Sequence, residues 1–148
     1  MTETKEGKEI ICLYDKDKVY MYFGHPVNFY NTEKEKELIA VIQREFPQYV
    51  IENPNQQRHS KGYERYKKET GSGMKYYYTE VLPFMAAGMF QVFEDGMFGA
   101  GVFGEAEFLH KSEKPIFEIN LAEKIQIMMP DVLRKLSVEE TRKRVYRR

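Results

Sequence analysis

Short apolar runs alternate with segments of helical period along this chain. Residues 10–14 (IICLY) and 19–23 (VYMYF) flank the polar tetrapeptide Asp15-Lys16-Asp17-Lys18, which predicts a hairpin feeding a central strand. Gly24-His25-Pro26-Val27 breaks that strand. Thr32 and Glu35 then form a capping box ahead of Leu38, Ile39, Val41, Ile42 and Phe46, whose spacing predicts a helix ended by Pro47. Tyr49-Val50-Ile51 reads as a short strand stopped at Asn53-Pro54. Residues 56–73 are polar and charged and carry three glycines, so they read as a long loop, a candidate lid or interface element.

Residues 74–82 read as a helix ended or bent by Pro83, 89–93 as a strand and 94–98 as a turn. A glycine-rich opening then leads into a helix to about Lys111, and 115–119 is another strand. Residues 125–129 fit either a strand or a helix. Ser137 and Glu140 form a second capping box, opening a terminal helix to about Tyr146. Strands alternating with helices predict βαβ units. The expected fold is therefore α/β: a three-layer, flavodoxin- or Rossmann-like, mostly parallel sheet with helices on both faces and an added N-terminal β-hairpin. Ligands of such sheets bind beyond the carboxyl ends of the strands. The turn at Gly24, the turn at Asn53 and the segment 94–104 should converge there.

At 148 residues the chain has room for one domain, with a core at about 19–120 and a terminal helix at about 137–146. Twenty-three basic residues balance twenty-three acidic ones, so no global field draws the protein to nucleic acid or a membrane. The single cysteine, Cys12, sits in an apolar run and reads as a buried structural thiol, which fits a reducing compartment. With no signal peptide or transmembrane run, a cytoplasmic protein is expected. His25, His59 and His110 match no metal spacing, and there is no Walker loop, so neither metal nor cofactor is expected. His25 lies at the predicted binding turn and is a candidate ligand contact; His59 and His110 read as surface groups.

The segment richest in chemistry is Gly99 to Ile119, GAGVFGEAEFLHKSEKPIFEI. Gly99, Gly101 and Gly104 let backbone come close to a ligand. Glu105 then falls where the first turn of a helix is expected, and there the free N–H groups and the macrodipole favour a carboxylate. Such a group in a glycine-lined crevice is equipped to attack an electrophilic carbon; it is equally a plain charge at a helix start. Gly99 to Gly104 also spells GxGxxG, with Glu118 near the distance expected of a ribose-binding acid. Against a dinucleotide site, residues 94–98 intervene after the strand, at least two strands come earlier, and too little chain follows for a substrate domain.

VYMYFGHPV (19–27) is similar to the opening strand of the nucleoside 2-deoxyribosyltransferase family. The block GAGVFGEAEFLHKSEKPIFEI resembles that family's glycine–glutamate signature, Tyr76-Tyr-Tyr-Thr-Glu80 its helix with a substrate-binding acid, and Asn53-Pro54 a turn common in the wider superfamily. The resemblance covers Val19 to about Asn120, roughly two thirds of the chain.

That resemblance implies roles. Glu105 corresponds to the nucleophile and Tyr22 to the tyrosine that orients it. Glu80 stands where the family has an aspartate. Asp95 corresponds to a base-contacting acid, in a loop whose length departs from the family; the Asp95-Gly96 pair is also a strong turn signal. Gly24, His25, Asn53, Gly99 and Gly101 complete the expected ligand contacts. The implied activity is cleavage of the N-glycosidic bond of a (deoxy)nucleoside or nucleoside 5′-monophosphate. A covalent glycosyl-glutamate would be resolved by a second base or by water. Glu80 or Asp95, if desolvated, would protonate the leaving base. A homodimer or larger homo-oligomer is implied as well. The alternative is a non-catalytic nucleotide-binding or regulatory domain.

Overall fold

The computed structural model describes residues 14–146, together with the backbone of two short strands, β1 (Thr2–Glu3) and β2 (Glu9–Ile10), which pair antiparallel. Cys12 lies outside the described residues. The main sheet is α/β in character, with strand order β4-β3-β5-β6-β7. Its strands β3 (Tyr20–Gly24), β4 (Val50–Glu52), β5 (Ala87–Gln91) and β6 (Ile116–Ile119) are parallel, and β7 (Ile125–Ile127) runs antiparallel along β6 at the edge. This arrangement is consistent with a Rossmann-like fold. Residues 125–129 thus resolve as a strand.

β3 reads YMYFG without polar interruption because its alternate side chains pack into two different apolar clusters. Met21 and Phe23 join Ala87 and Met89 against Leu38, Val41 and Ile42 of helix α1 (Glu33–Glu45). Tyr22 joins Phe90 against Val102, Phe103, Ala106 and Leu109, all from helix α4 (Ala100–Lys111). The capping box at α1 is half formed: Thr32 Oγ1 accepts the Glu35 N–H at 3.1 Å, while the Glu35 carboxylate turns elsewhere.

Three expectations are corrected. Asp15 to Lys18 does turn, with the Asp15 carbonyl accepting the Lys18 N–H at 3.1 Å, but it closes no hairpin on β3, whose two neighbours are both parallel strands. Residues 56–73 are not a loop: Gln57–Thr70 is helix α2, ended by Gly71 in the left-handed region at φ +83°. Its inner face is built from His59, Gly62, Tyr63 and Tyr66, spaced i, i+3, i+4, i+7 and packed against Tyr76 and Tyr77. His59, expected at the surface, is wholly buried. Its Nε2 meets Glu52 at 2.6 Å and its Nδ1 meets the Tyr76 hydroxyl at 2.7 Å, which satisfies both ring nitrogens.

After α2 the chain forms a helical turn, α3 (Met74–Tyr76), that widens into a π-turn at Tyr77–Val81 and tightens into a 3₁₀ turn at Leu82–Phe84. Pro83 ends it. The terminal helix α5 (Val138–Tyr146) starts at its capping serine, Ser137 Oγ accepting the Glu140 N–H at 3.0 Å. No helix among the described residues is long and apolar enough to cross a membrane.

Candidate active site

The turns after β3, β4 and β5 converge on one cavity of about 510 Å³. Tyr22, His25, Gly99, Gly101 and Glu105 all line it. Gly24 lies beside it: a Cβ there would sit 2.6 Å from the Phe90 ring and 3.1 Å from Glu105 Oε1, so only glycine lets this backbone pass the carboxyl. A Cβ added at Gly101 meets nothing within 4 Å, so that position leaves open space in the wall.

At the centre, the Tyr22 hydroxyl donates to Glu105 Oε2 at 2.7 Å. Glu105 is 6% exposed. The helix begins earlier than the sequence suggests. Gly99 is its N-cap, Gly101 and Gly104 lie inside it, and Glu105 falls in the second turn, past the free N–H groups. The stabilisation expected for its anion is therefore weak. Burial dominates and pushes the carboxyl up to about 8, against the lowering effect of the Tyr22 hydrogen bond. Its polar surroundings are phenols: burial raises Tyr22, Tyr77 and Tyr78, and the Glu105 charge adds to each, taking Tyr78 to about 12.

The other predicted contacts fare differently. His25 lines the cavity, but both its ring nitrogens are engaged inward, on the Phe23 carbonyl at 3.0 Å and on Glu35 Oε2 at 2.7 Å. It offers a ligand only its ring. Asn53 builds the turn: its Oδ1 accepts the Asn55 N–H at 2.9 Å, and Pro54 and Asn55 form the wall in its place. Glu80 lies outside the cavity lining, its side chain 37% exposed, bonded to Arg65 at 2.8 Å and to the Tyr66 hydroxyl at 2.6 Å. Asp95, too, lies outside the cavity lining, against expectation. Its side chain is half exposed and pairs through both oxygens with Arg144, at 2.9 and 2.8 Å, which holds its carboxyl down at about 2. It cannot store a proton for a leaving base near neutral pH.

The cavity also has contributors beyond the expected site residues. Helix α5 supplies Thr141, Val145 and Tyr146, and Tyr30, Asn55 and Tyr77 come from the two loops and the π-turn. Tyr30 and Asn55 sit in turns predicted to converge; nothing in the pattern of α5 marks it as a wall. Thr141 Oγ1 accepts the Ala100 N–H at 2.9 Å, capping α4 where a phosphate would otherwise dock. Glu118 is buried against Arg134 through two hydrogen bonds of 2.8 and 2.7 Å. Two features depart from a dinucleotide cradle: Thr141 caps the first N–H of the helix, and Glu118 is taken up by Arg134. Among the described residues no cluster of His, Cys, Asp and Glu is arranged to hold a metal ion. No protein-family model matches the chain, and neither does any curated protein or solved structure.

Proposed function

We propose that this protein cleaves the N-glycosidic bond of a nucleoside or nucleoside 5′-monophosphate, on a three-layer Rossmann-like domain. The observation that carries the reading is the buried Tyr22–Glu105 pair, 2.7 Å apart, beside glycine backbone at the carboxyl ends of parallel strands. The resemblance of VYMYFGHPV and of the Gly99–Ile119 block to the nucleoside 2-deoxyribosyltransferase family supports it.

The ionised Glu105 attacks C1′, the C1′–N bond breaks, and its electrons leave with the base, which takes up a solvent proton. The developing positive charge on the sugar favours the ionised carboxylate that burial otherwise opposes. Tyr22 holds the attacking oxygen in one orientation. Water then attacks C1′ of the glycosyl ester and releases free sugar, or a second base attacks and a new nucleoside forms. Self-association into a homodimer or larger assembly belongs to the same reading.

One observation favours a second reading, a non-catalytic nucleotide-binding domain: neither Glu80 nor Asp95 lines the cavity, which leaves no carboxylic acid assigned to the departing base. Incubation with deoxynucleosides and their monophosphates at pH 8, followed by chromatography for free base, separates the two. Release that disappears in Glu105→Ala supports catalysis. Saturable binding with no release, unchanged in that variant, sinks it in favour of the binding domain.

A further inference from the structure

Glu35 is 4% exposed and lies outside the cavity lining, yet its carboxylate joins three segments of wall. It meets His25 Nε2 at 2.7 Å, accepts the Asn31 N–H at 3.1 Å, and accepts the Asn55 side-chain amide at 3.2 Å on each oxygen. His25 is fixed in turn. Its Nδ1 faces the Phe23 carbonyl, which can only accept, so Nδ1 carries a hydrogen; its ring stacks on Phe23 at 4.2 Å. The 2.7 Å contact to Glu35 then contains a shared proton, since two lone pairs would repel there.

This arrangement determines which way Asn55 faces. Its Nδ2 lies against the Glu35 oxygens and, at 3.0 Å, against Asn31 Oδ1, so that end must be the NH₂ group. The carbonyl Oδ1 is left over. It accepts no hydrogen bond from any described residue, and Asn55 lines the cavity.

We propose that Asn55 is a ligand-selecting residue and Glu35 its positioning residue: together they present a fixed acceptor, Asn55 Oδ1, to an N–H or O–H donor on the bound molecule. The proposal rests on the nucleoside reading for the kind of ligand, but not on its cleavage. A site built to accept a hydrogen bond discriminates strongly against a ligand that lacks the donor, because the acceptor is left desolvated and unpaired. Glu35 sets the sign of that preference. With an amide in its place one end of that group donates, and the Asn55 amide can reverse and offer a donor instead.

The test is calorimetric binding at pH 7 to three probes. These are 2′-deoxyadenosine, its analogue without the exocyclic amino group (purine 2′-deoxyriboside), and its analogue without sugar hydroxyls (2′,3′,5′-trideoxyadenosine). The wild type should bind one of the two analogues about 10- to 100-fold more weakly than deoxyadenosine, and which one identifies the donor as base or sugar. In Asn55→Ala that ratio should collapse to within about threefold. In Glu35→Gln, with Asn55 still present, it should fall in the same way, which a merely structural role for Glu35 would not produce. Equal binding of all three probes by the wild type, a ratio kept in Asn55→Ala, or no binding of any probe overturns the proposal. Selective binding without base release leaves it standing while the cleavage reading fails; base release with selectivity unaltered in Asn55→Ala does the reverse.

Discussion

The Tyr22 hydroxyl and the Glu105 carboxylate lie 83 residues apart in the chain and share one buried hydrogen bond of 2.7 Å. That bond is the one influence that lowers the Glu105 pKa against its burial. Tyr22→Phe should therefore move Glu105 further into its neutral form. Base release at pH 7 should drop about 10- to 100-fold, and the acidic limb of the kcat/KM profile should shift upward. A profile that keeps its wild-type midpoint contradicts this.

Glu105 makes activity and stability respond to pH in opposite directions. In the unfolded chain the carboxyl titrates near 4.5, and in the folded protein at about 8. Between those values the folded state holds the extra proton, so the stability linked to Glu105 is complete below about pH 4.5 and is lost as pH rises through 8. Over the same window the nucleophilic anion appears, so kcat/KM should climb and level off above pH 8. Glu105→Gln should abolish base release while raising the melting temperature at pH 8.5. The stabilisation should be on the order of 3–5 kcal/mol there and much smaller at pH 5. Denaturant unfolding at both pH values measures it.

Two glycines should answer oppositely to the same change. A Cβ at Gly62 of α2 would stand 2.2 Å from the buried Tyr76 ring, so Gly62→Ala should cost about 2–3 kcal/mol and lower the melting temperature by roughly 5–10 °C. At Gly101 the Cβ meets nothing within 4 Å, and alanine suits a helix better, so Gly101→Ala should gain about 0.5–1 kcal/mol. The new methyl crowds the cavity, so KM for a nucleoside should rise. Thermal scans and steady-state kinetics on the same pair of variants check both directions.

Asp95 and Glu80 should be dispensable for chemistry. Asp95→Asn and Glu80→Gln should leave kcat/KM within about threefold of wild type, since each side chain is partly in solvent and held by an arginine outside the cavity. A loss beyond about 100-fold in either variant would return that residue to the role of acid.

Strands β3 to β6 and three of the longer helices were legible because their apolar spacing and caps are local, with Thr32 and Ser137 both capping, while 125–127 stood open between strand and helix. Helix α2 was not, because its buried face is made of His59, Gly62, Tyr63 and Tyr66, in place of the aliphatic residues that give a helical period its usual signal. The meeting of the turns at Gly24, Asn53 and Gly99 followed from the sheet's topology. Which acids would enter the cavity did not follow. Asp95 is claimed by Arg144, 49 positions away, and Glu80 by Arg65, 15 positions away. The charge state of Glu105 was hidden for a related reason: its burial is a property of the assembled walls, and the helix start expected to govern it lies a full turn earlier.

Helix α5 closes one side of the compartment, yet its Val145 belongs to a small cluster with Phe93 and Leu136, separate from the two clusters that bind the sheet. It is held as well by the Thr141 cap, by the half-exposed Arg144–Asp95 pair and by Arg144 lying over the Phe93 ring. That wall is therefore held by contacts of its own, distinct from those that join the strands. Salt, which screens the exposed Arg144–Asp95 pair, thus acts on this wall and spares the buried Tyr22–Glu105 bond.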